Sequence, residues 1–296
     1  MRIIRPFDVT EAILLSSNVP EDDHPEWAAG THEQGYKCIV EHTIYEVVAE
    51  STTDEPTEGV AKEVPSWVVV GMTNRWRMFD DKVSSLTTHE GAISVVLKPD
   101  KAINSLALFN LVGKSVEVTV DDPLEGVVYQ KTLSLVDARV SNWYDWFFAE
   151  ADRRTDVVLL DLPAYSKASI TVTIDNGTSD ASCGHFVMGQ QKELAVSLYG
   201  SSGGITDYTR KVTNPYGDTS VVVRPFSKRA SLSVEVDSSR TGMFQRTLAE
   251  YRGKPVVWIG HQDFEITIIF GFYKDFTVSI SGPEISEGSV TIEGLI

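Results

Sequence analysis

The chain has 296 residues, 42 Asp and Glu against 26 Lys and Arg, and a formal net charge of −16. That length suits about two or three domains, and a 42% hydrophobic content supplies a sizeable core, which excludes a wholly disordered chain. The charge argues against a protein whose main task is gripping phosphate backbones or an anionic membrane surface, because both need clustered Lys and Arg. The negative excess is uneven, with 14 acidic and 5 basic residues in the first 75 positions.

Targeting and redox signals come next. The start, Met1 to Pro6, lacks an apolar stretch followed by a small-residue cleavage site, and no apolar run approaches the length of a bilayer span. The chain is therefore expected to fold first in a cytoplasm and to insert in no membrane. Two isolated cysteines, Cys38 and Cys183, form neither a zinc motif nor a disulfide framework and are expected as buried free thiols. Asn176-Gly177-Thr178 matches a glycosylation sequon, but without a secretory signal it reads as a turn.

Taken in chain order, the first expected element is a short helix in a 1–20 segment. Asp8 and Glu11 have capping-box spacing, apolar Ala12 to Leu15 follow, and Pro20 ends the run. Residues 21–71 are acidic and hold scattered aromatics with short strand-like pieces at Lys37–Val40 and Ile44–Val48, which predicts a small separate β module. From about residue 68 period-two alternation takes over: Ile93, Val95 and Leu97, then Val116, Val118 and Val120, then Ile170, Val172 and Ile174. Turn signals at Lys98-Pro99-Asp100, Asp121-Asp122-Pro123 and Asp175-Asn176-Gly177 separate them. A β-sandwich over 72–178 is expected, since each such strand buries one face and needs a facing sheet.

An α+β domain is expected over 179–296. Leu232, Val234 and Val236 alternate, as do Ile266, Ile268, Phe270 and Phe272, and Phe276, Val278 and Ile280. Between them Phe244, Leu248 and Tyr251 share one helical face, with Asp237, Ser238 or Ser239 as cap and Gly253 and Pro255 as stop signals. The predicted class is thus mostly β: a small N-terminal β module, a β-sandwich, and a C-terminal domain with one helix on an antiparallel sheet.

Catalytic patterns are weak. Gly200-Ser201-Ser202-Gly203-Gly204 lacks the Gly-Lys-Ser/Thr ending of a phosphate loop and reads as a flexible loop at a subunit contact. Gly200-x-Ser202-x-Gly204 in the same loop has the letters of a Gly-x-Ser-x-Gly elbow but no helical pattern after it, and the six histidines are dispersed. Cys183-Gly184-His185 reads as a buried thiol beside a strand-edge imidazole. Asp22-Asp23, Asp80-Asp81 and Asp121-Asp122 are adjacent carboxylates, which suit solvated turns better than the spaced pair that glycoside hydrolysis needs. No cofactor or metal ligand set is predicted, and the chain is expected not to be an enzyme.

Aromatic residues carry more information. Trp143, Tyr144, Trp146, Phe147 and Phe148 crowd into six positions; as a strand they place large rings on both faces, expected as buried between sheets or in a domain or subunit interface, with a sugar-stacking platform on one face as the alternative. Trp143, Tyr144 and Trp146, with Gly203 and Gly204, are therefore the candidate assembly contacts.

Within 21–71 the order Trp27, Gly35, Ile39 or Val40, Tyr45, Pro56, Trp67 resembles the small chitin-binding-type carbohydrate-binding modules that recur in phage tail proteins. The chain departs from that pattern at Thr31–Gln34, where an aromatic is usual, and at Tyr36, where Asp is usual. The resemblance implies a core of Trp27, Tyr45 and Trp67. It makes Tyr36, Trp27, Tyr45 and Trp67 the candidate glycan-binding residues, with Tyr36 expected as the exposed ring.

The run Thr73 to Asp80, together with Phe226 to Ala230, Pro255 to Trp258, Gly271 to Phe276 and Ile292 to Leu295, is similar to tail-associated proteins of tailed bacteriophages. That likeness implies a structural virion component of the tail or neck, assembled in the bacterial host cytoplasm, which anchors or connects fibres or spikes. Its expected partners are other virion tail proteins and further copies of itself, with a host surface glycan as an additional partner and no nucleic acid. The alternatives are a glycan-binding host-adsorption protein and a polysaccharide-degrading enzyme.

Overall fold

The computed structural model describes residues 1–137, Trp143 and residues 152–296. It is mostly β, as the alternation predicts, and its strands form two large antiparallel sheets plus a small module. The smaller large sheet has five strands in the order Gly126–Ser134, Ser115–Asp122, Ser169–Cys183, Thr87–Leu97, Leu14–Ser17. Its buried face holds the predicted triplets Ile93/Val95/Leu97, Val116/Val118/Val120 and Ile170/Val172/Ile174. They meet Leu106, Leu108, Phe186 and Met188 of the second sheet in one continuous core, which is the sandwich.

The second sheet has ten strands. From one end they run Val157–Leu159, Ser105–Phe109, His185–Glu193, Arg2–Pro6, Val256–Ile259, Ile268–Ser279, Ile285–Gly294, Phe226–Asp237 and Val196–Ser197, with Ser202–Asp207 also paired to Phe226–Asp237. The sheet curls back on itself. Its last strand, Val196–Ser197, lies only two residues along the chain from Glu193 of the third, so the covalent chain joins the curled edges. Inside the curl Ile3, Trp258, Ile269, Leu232, Val234, Val290 and Ile292 form a second core. The helix Thr241–Glu250 closes it by contributing Phe244 and Leu248, followed by Tyr251, the three residues of the predicted apolar face. Gly253 has φ +71°, which fits its expected place as the left-handed stop. Asp237 does cap, but its carboxylate receives Ser239 N at 2.8 Å in a preceding 3₁₀ turn rather than in the α-helix itself.

Three expectations are corrected. The N-terminal helix is absent: Ile13 and Leu14 donate to Thr10 O in a single turn, and Leu14–Ser17 continues as an edge strand on Thr87–Leu97. The short apolar run is satisfied by that sheet edge, so a local cap does not decide its conformation. Residues 1–20 are not a separate segment either, because Arg2–Pro6 is a central strand hydrogen-bonded on both sides. Finally, the boundary at 178/179 falls inside the strand Ser169–Cys183. Asp175-Asn176-Gly177 makes a bulge with Gly177 at φ +71°, after which pairing with Thr87–Leu97 resumes. The turn signal was a pause in one strand and not a chain reversal. The exposed end of the Ile266 series follows the same logic: the strand begins at Ile268, and Ile268 to Phe270 are buried on both faces because the sheet has a core on each side.

At Gly184 the chain leaves the five-stranded sheet and enters the curled one. A Cβ there would lie 2.2 Å from Val83 O and 2.8 Å from Asn110 Cβ, so only glycine fits the corner. Gly184→Ala should therefore lower stability by about 1–3 kcal/mol, as overpacking does. Gly30→Ala, with nothing within 4 Å, serves as the control. Equal thermal midpoints for the two variants would show that the corner has room.

Candidate functional site

The module is built on three antiparallel strands, Lys37–Val40, Thr43–Val47 and Trp67–Met72, with a short helix Pro56–Val60 laid against Trp67. Trp67 is fully buried with Cys38 and Val47, and its indole Nε1 donates to Asp54 O at 3.1 Å. Gly59 lies so close that a Cβ would sit 2.3 Å from the Trp67 ring. Trp27, Tyr36 and Tyr45 pack half-buried around this core. Trp67 is thus a core residue and cannot touch a ligand, which corrects its place among the glycan candidates.

Tyr36 also departs from expectation. It is half-buried, and His32 stacks on its ring at 4.4 Å with planes 14° apart. The His32 Nε2 lies 2.9 Å from Ala28 O, which holds the imidazole over the tyrosine. One face of the most promising sugar platform is therefore already occupied. His32 carries no pattern in the sequence beyond its separation of four from Tyr36, so only the fold reveals the stack.

The module is joined to the sandwich by a polar cluster. Glu21 accepts from Thr73 Oγ1 at 2.7 Å, pairs with His42 Nδ1 at 2.8 Å and faces Arg75 at 3.5 Å. Asp23 accepts from Asn74 N at 2.8 Å. His42 stacks on Trp76 at 4.4 Å, Trp76 meets Phe79 edge-on, and Phe79 meets Phe186 of the sandwich core. The Thr73 to Asp80 run is this joint.

Asp80 and Asp122 act as turn formers, whereas Asp23 of the third acidic pair belongs to the joint. Asp122 accepts from Leu124 N and Glu125 N, and Asp80 accepts from Lys82 N and Ser85 Oγ. Burial raises the pKa of both Asp80 and Asp81. Among the described residues no group of three His, Cys, Asp or Glu side chains is placed to hold a metal. Cys38 and Cys183 are buried free thiols, as expected; burial pushes the Cys38 thiol up to about 11 and the Cys183 thiol higher still. His185 is not a strand-edge residue. It is 3% exposed, tilted against Phe270 at 4.3 Å, and its Nε2 faces an Asp81 carboxylate oxygen at 3.7 Å.

The other exposed feature is an arm. Ser202–Asp207 pairs with Phe226 to Ser231, and beyond that pair Arg210–Thr213 and Thr219–Val222 continue as a hairpin turning at Asn214 to Gly217. Every residue of those two outer strands is exposed. Large apolar groups lie along the arm, including Tyr199 at its base, Tyr216 at its tip, and Val221, Val222 and Val223 in a row. Gly203 and Gly204 are strand residues opposite Ala230 and Arg229, not part of a flexible loop. A Cβ on Gly203 would meet Ile266 at 2.4 Å, so this glycine lets the arm lie flat on its base. Of the aromatic run, Trp143 is helical and exposed; Tyr144, Trp146, Phe147 and Phe148 lie outside the described residues.

No protein-family model matches the chain, and no curated protein matches it.

Two outcomes are expected from this geometry. Trp67→Ala should unfold the module, at a cost of about 3–5 kcal/mol for losing a buried large ring. Hydrogen exchange would show protection lost in residues 21–71 first; a module that keeps its protection but loses glycan binding would instead make Trp67 a ligand contact.

The second outcome concerns acid. Burial lowers the His185 pKa from 6.5 to about 4. The unfolded chain then binds a proton more readily, so the stability that neutral His185 confers is present above about pH 6.5 and is lost as pH falls towards 4, about 3 kcal/mol in all. Asp80 and Asp81, raised by burial, act in the opposite sense. The measurement is therefore the difference in acid melting between the wild type and His185→Phe; parallel curves would show that His185 does not titrate on unfolding.

Proposed function

We propose that this chain is a non-enzymatic structural protein of a tailed-phage virion, which assembles with copies of itself in the tail or neck and there connects fibres or spikes. The observation that carries the reading is the arm. A two-stranded β-ribbon by itself is at best marginally stable in water. Among the described residues its outer edges have no backbone partner, and its exposed valines and tyrosines make an aggregation hazard unless a partner covers them. A chain that builds such an arm on a rigid base has a use for it in contact with another chain. The likeness of the 73–80 run and of the C-terminal segments to tail-associated proteins supports the virion setting. Closed rings are the usual way in which identical copies satisfy such a repeated heterologous contact. The module, held by the Glu21 cluster, then serves as a rigid projection carrying the acidic surface outward, where repulsion between copies costs least.

The test replaces residues 208–224 by a short Asn-Gly turn. The full chain should form a concentration-dependent oligomer by native mass measurement, while the shortened chain stays monomeric with an unchanged melt of its body. Virions labelled at this protein should show it on the tail or neck. A full chain that is monomeric at every concentration and missing from the virion would overturn the reading.

A further inference from the structure

We infer that the arm of one copy adds a strand to the module of a second copy, along the edge Trp67–Met72. The inference rests on the self-assembly proposed above and names the surface that receives the arm. Three observations point to it.

The first is an open edge. In the module sheet Trp67–Met72 pairs with Thr43–Val47 on one side only, and its other side has no backbone partner among the described residues. The opposite edge strand, Lys37–Val40, is covered by the bridge from Glu26 to Ile39. The second is apolar surface on that edge. Val68, Val69 and Val70 are 44%, 49% and 49% exposed, three consecutive β-branched residues along one strand. The arm offers the matching element in Val221, Val222 and Val223, at 52%, 53% and 81%. Strand addition suits both partners, because main-chain hydrogen bonds join them while the valines on either face exclude water.

The third is charge. Residues 21–72 hold twelve acidic side chains against two basic ones, Lys37 and Lys62. The arm from 208 to 224 reverses this balance, with Arg210, Lys211 and Arg224 against Asp218 alone. A basic ribbon on a chain of net charge −16 meets its complement on the acidic module of a neighbour. Other open edges fit less well. Val157–Leu159 is three residues long. Gly126–Ser134 carries Lys131, already paired with Asp161 at 3.0 Å.

Cysteine cross-linking in the full chain tests this, since Cys38 and Cys183 are buried. Val221→Cys or Val222→Cys is mixed with Val68→Cys, Val69→Cys or Val70→Cys under mild oxidation. A disulfide needs Cα atoms within about 7 Å, so only true neighbours link. The expected result is a reducible dimer in the mixture and in neither variant alone. Its yield should fall several-fold in high salt, and likewise when Arg210, Lys211 and Arg224 are all changed to Glu. A link to Val127→Cys instead, or no link in a chain that still oligomerises, would overturn the module as acceptor while leaving self-assembly standing. A chain that neither links nor oligomerises at any concentration would overturn both.

Discussion

The stretch from Ser169 to Glu193 ties the molecule together. Its first part is the middle strand of the five-stranded sheet, and its second part is the third strand of the curled sheet. Gly184 is the corner between them. Because one continuous segment supplies central hydrogen bonds to both layers, neither layer is complete without the other. The strand Arg2–Pro6 has the same role from the other end of the chain: it sits between His185–Glu193 and Val256–Ile259, with Ile3 facing the core inside the curl and Ile4 facing the opposite side. The body is therefore one cooperative unit, made from segments that are distant in sequence.

The module is attached differently. Its own core is small, centred on Trp67, and the joint to the body is made of carboxylates, a guanidinium, an imidazole and backbone amides. Such a joint fixes orientation through several directional bonds, whereas apolar burial tolerates sliding. The aromatic ladder from His42 through Trp76 and Phe79 to Phe186 adds stiffness along the same path. An acidic module held this firmly keeps a set direction relative to the sheets.

Exposed apolar groups are unevenly distributed over the chain. Along the sandwich strands the buried side chains alternate with half-buried or exposed ones, and the apolar triplets all face the core. On the arm that economy breaks down: both outer strands are exposed throughout, yet valines remain. The same departure occurs at Val68 to Val70. Open β edges with apolar side chains are costly to leave bare.

Period-two alternation by itself determined the β character, the inward faces of the sandwich strands, and the strand Leu232 to Val236. Helical spacing determined the helix bearing Phe244, Leu248 and Tyr251. These are local signals: a half-buried strand or helix must show its period wherever its partner lies. The module's order of aromatics likewise placed Trp67 within a small β fold. What only the tertiary structure decided was whatever depended on a distant partner. The capping-box pattern after Asp8 yields to a sheet edge, since pairing with Thr87–Leu97 outweighs a helix too short to be stable alone. Asp175-Asn176-Gly177 is a bulge because the neighbouring strand continues past it. Tyr36 loses one face to His32, and the glycines at 203 and 204 become strand because Ile266 and Phe226–Asp237 lie against them. The arm was illegible for the same reason: only the fold shows that, among the described residues, nothing covers the strands Arg210–Thr213 and Thr219–Val222.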